Sequence, residues 1–79
     1  MNIGRRIRNL RLKKGLTQEE LGERTDLTKG YISQIERDLS SPSIETFFNI
    51  LEVLGCPPRE FFDEGKREQK VVYTDDDLT

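Results

Sequence analysis

Two neighbouring segments carry nearly the same helix-start signal, and together they limit the possible folds of this chain. In "LTQEEL", Thr17 can cap a helix, Glu20 can complete a capping box, and the leucines on either side can form a hydrophobic staple. "LTKGYI" repeats this pattern without the glutamate. The two signals predict helices over residues 18–24 and 29–37, joined by the short segment "TDLT". Two short helices with so tight a joint indicate a helix-turn-helix.

The flanking segments predict three more helices. The first covers residues 3–14, with an apolar stripe, a cap at Asn2 and a stop at Gly15. A fourth follows the cap Ser43 and ends at Gly55. Its apolar stripe is Ile44, Phe47, Phe48, Leu51 and Leu54. "PPREFFDE" adds a short fifth helix, and we expect Phe61 or Phe62 to cover the core.

The fold class predicted from these signals is all-α, with five helices in one domain over residues 1–63. Residues 64–79 are a highly charged segment interrupted by "VVYT". We predict that they are either a flexible tail or a linker to a region that this sequence does not contain. Cys56 should be a small buried or half-buried apolar group, because it lies between a helix end and two prolines.

Composition argues against several classes of protein. The chain has one cysteine and no histidine, so it cannot form an intrachain disulfide and lacks the usual ligands of structural zinc and the usual catalytic triads. We therefore expect no enzyme activity, no catalytic residue, no metal and no cofactor. There is no run of about 18 apolar residues and no apolar core in the N-terminal segment, which predicts a cytoplasmic protein.

Charge is distributed unevenly. Residues 1–40 contain nine Lys and Arg and six Asp and Glu, a balance of +3, whereas residues 41–79 contain four and nine, a balance of −5. The first 14 residues carry six basic side chains and no acid. Five of these, Arg5, Arg6, Arg8, Lys13 and Lys14, can steer the domain toward a polyanion or can simply form a solvated helix face.

The third predicted helix has two different sides. At 100° per residue, one side collects Tyr31, Ile32, Ile35 and Leu39, which predicts that it faces the core. The opposite side collects Lys29, Gly30, Ser33, Gln34 and Arg37. Gln, Lys and Ser can bond base edges, and the major groove of B-DNA admits one helix. A DNA-reading surface and an ordinary solvated face are both compatible with this pattern.

The segments "LTQEEL", "YISQIE" and "PSIETF" resemble, in order and spacing, the phage repressor and Cro (Xre) family of helix-turn-helix domains, over residues 3–62. This resemblance implies a five-helix, lambda-repressor-like fold and a sequence-specific transcription regulator, in type a prokaryotic repressor. It would bind a double-stranded DNA operator as a homodimer, with its third helix in the major groove. A protein-interaction or antitoxin module on the same fold is the alternative.

The tail "KVVYTDDD" resembles the connector in regulators that join such a domain to a small-molecule-binding cupin barrel. An effector would then act only through a domain absent from this chain.

The resemblance also implies roles for individual residues. Arg11 and Glu36 would form an ion pair between the first and third helices. Gln18 would bond a phosphate and pack on the third helix. The positions that read bases would be Lys29, Gly30, Ser33 and Gln34. The residues expected to contact the DNA backbone are Gln18, Thr28, Tyr31, Arg37, Ser40, Ser41 and Ser43.

Tyr31 has two possible roles, and two other positions differ from the family pattern. Tyr31 is either a residue at the core edge or a phosphate contact. The family commonly has Gly where this chain has Asp38, which leaves the geometry of that turn open. It also commonly has Ala where this chain has Gly22, and we expect the glycine to keep the close packing at some cost in helix propensity.

Overall fold

A computed structural model describes residues 2–63, and over this range it contains five helices and no strand. The helices are α1 (Ile3–Lys13), α2 (Gln18–Thr25), α3 (Lys29–Glu36), α4 (Ile44–Val53) and α5 (58–63). The predicted all-α, five-helix fold is confirmed, and the predicted ends of the first three helices are within one residue of those observed. The expectations for residues 64–79 lie outside the described residues. No described helix is both long enough and apolar enough to cross a membrane.

The first four helices begin as their sequences predict. At each start, a side-chain oxygen accepts a hydrogen bond from the backbone N–H three residues later, over 3.0–3.1 Å. The four capping residues are Asn2, Thr17, Thr28 and Ser43. Glu20 also accepts a 2.9 Å bond from the N–H of Thr17, which completes the predicted capping box.

The same four helices end in one common way. Each is followed by a residue with left-handed backbone, and the next N–H bonds back to a carbonyl five residues earlier, over 2.7–3.1 Å. This pattern is the Schellman motif. The left-handed residues are Gly15, Asp26, Asp38 and Gly55. The predicted stops at the two glycines are confirmed, and Asp38 adopts the conformation (φ 58°) for which glycine is usual.

One apolar core joins all five helices. Its largest fully buried side chain is Phe61 of α5, which packs edge-on against Phe47 of α4 with ring centroids 5.3 Å apart. This confirms the predicted covering role of α5. Cys56 is buried, as predicted. The other buried apolar residues are Ile7, Leu10, Leu16, Leu21, Ile32, Ile35, Ile50, Leu51 and Leu54.

Three apolar residues lie elsewhere than predicted. Leu39 was assigned to the core but is 66% exposed, because the left-handed turn at Asp38 ends the helical periodicity one residue earlier. Ile44 is 67% exposed, and Phe48 is also exposed. Both belong to the predicted stripe of α4, but the buried face of that helix is narrower and is centred on Phe47 and Leu51.

Candidate nucleic-acid interface

The outward side of α3 is polar and accessible. We call it the reading face, and it consists of Lys29, Gly30, Ser33, Gln34 and Arg37. All of these are exposed except Ser33, which is half-buried. On the opposite side, Ile32 and Ile35 are buried in the core. The structure thus brings the four predicted base-reading residues together on one surface that contains no acidic side chain.

Gly30 leaves an open space near the start of the reading face. A Cβ atom placed there would meet nothing within 4 Å. Packing inside the domain therefore does not explain the glycine, and the space is available to a molecule that approaches α3 from outside. The neighbouring Tyr31 is half-buried and packs against the core, which favours its reading as a core-edge residue.

A buried ion pair fixes the end of α3 to α1. The Nε atom of Arg11 lies 2.6 Å from Oε2 of Glu36, and Nη2 donates to Oε1 over 3.0 Å. The remaining terminal nitrogen, Nη1, donates to the carbonyl of Leu16 over 2.9 Å. The two hydrogen bonds between Arg11 and Glu36 make the contact bidentate. The two side chains are only 8% and 1% exposed, so the pair is almost completely shielded from solvent.

Gln18 extends this network. Its Nε2 donates to Oε1 of Glu36 over 3.1 Å, so the first residue of α2 is tied to the last residue of α3. The side chain is half-buried at the N-terminal end of α2, where first-turn N–H groups lack helical partners. Gln18 therefore packs at the end of α3, and a phosphate contact remains a prediction.

Asp38 makes a second link between α1 and α3. Its Oδ1 accepts a hydrogen bond from the N–H of Gly4 over 3.2 Å. A Cβ atom at Gly4 would stand 2.3 Å from the carbonyl oxygen of Ile35, so only glycine fits this approach of the two backbones. Gly4 was not among the residues predicted from the sequence. The available signal was a glycine inside a predicted helix, which often marks close packing.

At its other end α3 is held by backbone packing against α2. A Cβ atom at Gly22 would stand 2.6 Å from the carbonyl oxygen of Leu27 and 3.3 Å from the carbonyl carbon of Thr28. The expected close packing at Gly22 is confirmed, and it sets how near α2 can lie to the start of α3.

The serine and threonine residues expected at the DNA backbone occupy different environments. The hydroxyls of Thr28 and Ser43 cap α3 and α4. Ser41 is exposed, whereas Ser40 is half-buried and donates a 3.2 Å hydrogen bond from its hydroxyl to Oε1 of Gln34. Ser40 therefore lies against Gln34, a side chain that is only predicted to read bases, and the sequence did not predict this contact.

The basic residues of α1 and its end do not form one uniform surface. Arg5, Arg8, Lys13 and Lys14 are exposed. Arg6 is only 6% exposed, and its guanidinium lies 5.2 Å from the ring centroid of Phe61. The expectation that Arg6 belongs to a solvated steering surface is therefore wrong, because this side chain packs against the core aromatic residues.

Similarity to known proteins agrees with this geometry. A helix-turn-helix family model matches residues 7–61. The transcriptional regulator PuuR of Escherichia coli strain K12 is 40% identical over 77 residues, which cover 95% of this chain and 42% of PuuR. The chain thus spans less than half the length of this curated relative.

Two solved structures have the same fold. The clp gene regulator ClgR from Corynebacterium glutamicum superposes with a TM-score of 0.80 at 27% identity, covering 98% of this chain and 82% of ClgR. The biofilm-formation regulator SinR, solved in complex with DNA, superposes with a TM-score of 0.70 at 36% identity. That alignment covers 76% of this chain and 97% of the SinR chain.

Proposed function

This chain belongs to the Xre-type helix-turn-helix family, and we propose that it is a transcription regulator, acting as a repressor, whose α3 reads a DNA operator in the major groove. The observation that carries the proposal is the reading face, an exposed polar surface without acids on a helix whose other side is buried. The similarity to SinR, which has been solved with DNA, supports it.

The reading face has the chemistry that base recognition needs. Gln34 can bond adenine through both its amide oxygen and its amide nitrogen. Lys29 can donate to guanine, and Ser33 can bond either purine. Gly30 allows α3 to approach the bases closely, because no side chain fills the space in front of it. We assign base reading to these four residues.

Contacts to phosphates would set the position of α3 in the groove. We assign this role to Gln18, Thr28, Arg37, Ser41 and Ser43. The exposed basic residues of α1 add charge attraction that does not depend on sequence. Tyr31 is a weaker candidate, because its ring packs on the core.

We further propose that the protein binds its operator as a homodimer and that a second copy covers the apolar groove. This groove is a cavity of about 330 Å³ between the start of α1, the loop after α3, the start of α4 and α5. Ile3, Ile44 and Phe62 line it and are exposed. Apolar surface next to the end of α3 would place two reading faces side by side, as a two-fold operator requires.

A charge placed in the groove tests the dimer. Ile44→Glu should abolish association in sedimentation experiments and weaken binding to a two-half-site operator, while binding to one half-site is retained. Leu12→Glu is the matched control, because Leu12 is exposed on α1 and does not line the groove. Equal association of the two variants would exclude the groove as the dimer surface.

The apolar groove also favours a second candidate function, a protein-interaction or antitoxin module. Selection of binding sites from random DNA separates the two candidates. A regulator should enrich one motif, and Gln34→Ala should lose preference at one base position per half-site without a change in melting temperature. A wild-type protein that enriches no motif would refute the DNA-binding proposal and leave the interaction module.

The remaining assignments follow from this proposal. Residues 1–63 would be the DNA-binding domain, and residues 64–79 a tail or linker. The regulator would act in the cytoplasm, without a cofactor or an enzymatic reaction. A small-molecule effector, where one exists, would bind a domain that this chain does not contain.

A further inference from the structure

We infer that Ser40 is a specificity-determining residue, which acts by holding the side chain of Gln34 in place against the turn after α3. The inference rests on the proposed function, because it concerns how the reading face discriminates between bases. It reassigns Ser40, which the family resemblance placed at the DNA backbone, to a position behind a base-reading side chain.

The turn after α3 brings the two side chains together. Asp38 has left-handed backbone, which reverses the chain, and the N–H of Leu39 then bonds to the carbonyl of Gln34 over 2.8 Å. The next residue, Ser40, is half-buried, and its hydroxyl donates to Oε1 of Gln34 over 3.2 Å. Both the backbone and the side chain of Gln34 are thus bonded to the same turn.

This bond matters because the two ends of a glutamine amide are not equivalent. The oxygen accepts hydrogen bonds and the nitrogen donates them, so a 180° rotation reverses the pattern presented to a base. To bond adenine, the amide must accept from the N6 amino group and donate to N7. In the observed bond the Ser40 hydroxyl donates to Oε1, which leaves both hydrogens of Nε2 available for a base.

Oε1 can still take part in base recognition, because a carbonyl oxygen has two lone pairs. One lone pair accepts from Ser40, and the other is left for the adenine amino group. The side chain is then held in place before DNA arrives, so fewer of its conformations must be lost on binding. Ser40 is a positioning residue in this account and makes no base contact itself.

If Ser40 positions Gln34, its loss should have a different effect from the loss of a contact to the DNA backbone. Loss of a phosphate contact weakens binding to all sequences by a similar factor. Loss of a positioning contact lowers discrimination mainly at the base that Gln34 reads. That base position is identified independently, because it is the position at which the selected motif changes in the Gln34→Ala variant.

The experiment is selection from random DNA, followed by competition measurements on single-base variants of the selected site. The proteins are the wild type, Gln34→Ala, Ser40→Ala, Ser40→Thr and the matched control Ser41→Ala. Ser41 is the exposed neighbouring serine, and its hydroxyl has no hydrogen-bond partner within residues 2–63. Thermal melting of each variant checks that the domain is folded.

A good bidentate contact discriminates by about 5- to 150-fold. We expect Ser40→Ala to lower the discrimination by roughly 3- to 10-fold at the Gln34 position, with little change elsewhere in the site. Ser40→Thr, which keeps the hydroxyl, should retain the wild-type preference. Ser41→Ala, at a residue assigned to a phosphate contact, should leave that preference unchanged and weaken binding to all sequences by a similar factor.

Two results would overturn the inference, and they are distinguishable. A wild-type protein that enriches no motif refutes the proposed function itself and the role of Ser40 with it. A wild-type motif that Ser40→Ala reproduces with unchanged discrimination leaves the proposed function intact and refutes the positioning role. If binding to all sequences is then uniformly weaker, Ser40 returns to the DNA backbone.

Discussion

The two ends of α3 are held by different kinds of contact. At its start, α3 lies against α2 through backbone atoms, with Gly22 directly beside the carbonyl of Leu27. At its end, α3 is joined to α1 through buried polar groups, namely the ion pair between Arg11 and Glu36 and the bond from Gly4 to the side chain of Asp38. Both ends have a glycine at a close approach of two backbones, but only the end of α3 adds buried charged groups.

This difference separates two ways of fixing a helix. The contacts at the start of α3 join residues close in sequence, so they set the angle between the two helices of the motif locally. The polar contacts at the end join residues 25 and 34 positions apart. Together with the core residues of α1 they attach this helix to α3, and loss of the buried ion pair should be felt as loss of the whole fold.

The largest expected effect comes from the buried ion pair. Arg11→Met leaves the carboxylate of Glu36 buried and uncompensated, which should cost about 3–5 kcal/mol of the free energy of unfolding. A domain of this size has roughly 3–5 kcal/mol in total, so the variant should be largely unfolded. Urea denaturation measures this loss. Arg8→Met, at an exposed arginine of the same helix, should change stability by less than about 0.5 kcal/mol.

The double variant Arg11→Met/Glu36→Leu sharpens this test. Because no charge is then left buried alone, it should be more stable than the sum of the two single changes predicts. Strictly additive losses would mean that the pair does not act as a unit and that the end of α3 is held by packing, like its start.

The uncharged end should be sensitive to added volume. In Gly22→Ala the new methyl group lies 2.6 Å from a backbone oxygen. We expect this overpacking, typically 1–3 kcal/mol, to outweigh the helix-propensity gain of about 1 kcal/mol and to lower the melting temperature. Gly30→Ala is the control, because its Cβ meets nothing within 4 Å. It should be stabilised by up to about 1 kcal/mol. Stabilisation of both variants alike would show that α2 and α3 are not tightly apposed.

The two aspartates with left-handed backbone, Asp26 and Asp38, should give a smaller difference in stability. Glycine relieves left-handed strain at either position, so Asp26→Gly should raise stability by about 0.5 kcal/mol. Asp38→Gly gains the same relief but loses the bond to the N–H of Gly4, which is worth roughly 1 kcal/mol. Chemical denaturation should therefore rank Asp38→Gly below Asp26→Gly by about that amount. The opposite order would remove Asp38 from the polar attachment of α1.

The smallest effect concerns an exposed charge at the start of α2. The backbone N–H of Thr17, and secondly its hydroxyl, lower the pKa of Glu20. Since the pKa is lower in the folded than in the unfolded state, the stabilisation is present above pH ~4.3 and is lost as pH falls through the folded value. Glu20→Gln should therefore show a weaker fall in stability between about pH 5 and pH 3. An unchanged pH profile would show that the capping box has no electrostatic component.

Local chemistry explains what the sequence could predict. Caps such as Thr17 and Ser43 bond to N–H groups three residues later, so a short segment contains both partners. The ion pair could not be derived in this way, because its partners are 25 residues apart. Only the family resemblance paired Arg11 with Glu36.

One wrong prediction and two missed contacts have a common cause. A helical wheel assumes that periodicity continues, and Leu39 was assigned to the core because the turn at Asp38 was not yet known. The contact from Ser40 to Gln34 and the bond from Asp38 to Gly4 depend on the same turn. The residue types of the reading face were predictable from the sequence. The contacts made by these side chains depend on the chain reversal at Asp38, which was not.

The four left-handed helix ends also bear on how the protein reaches its fold. Each closure forms within six consecutive residues, so α2, the turn and α3 can assemble without searching the rest of the chain. Docking of α1 onto the end of α3 is the step that must bring distant residues together, and closure of such a loop costs entropy before any contact repays it. Folding should therefore be fast for its size, with the docking of α1 as the slow step.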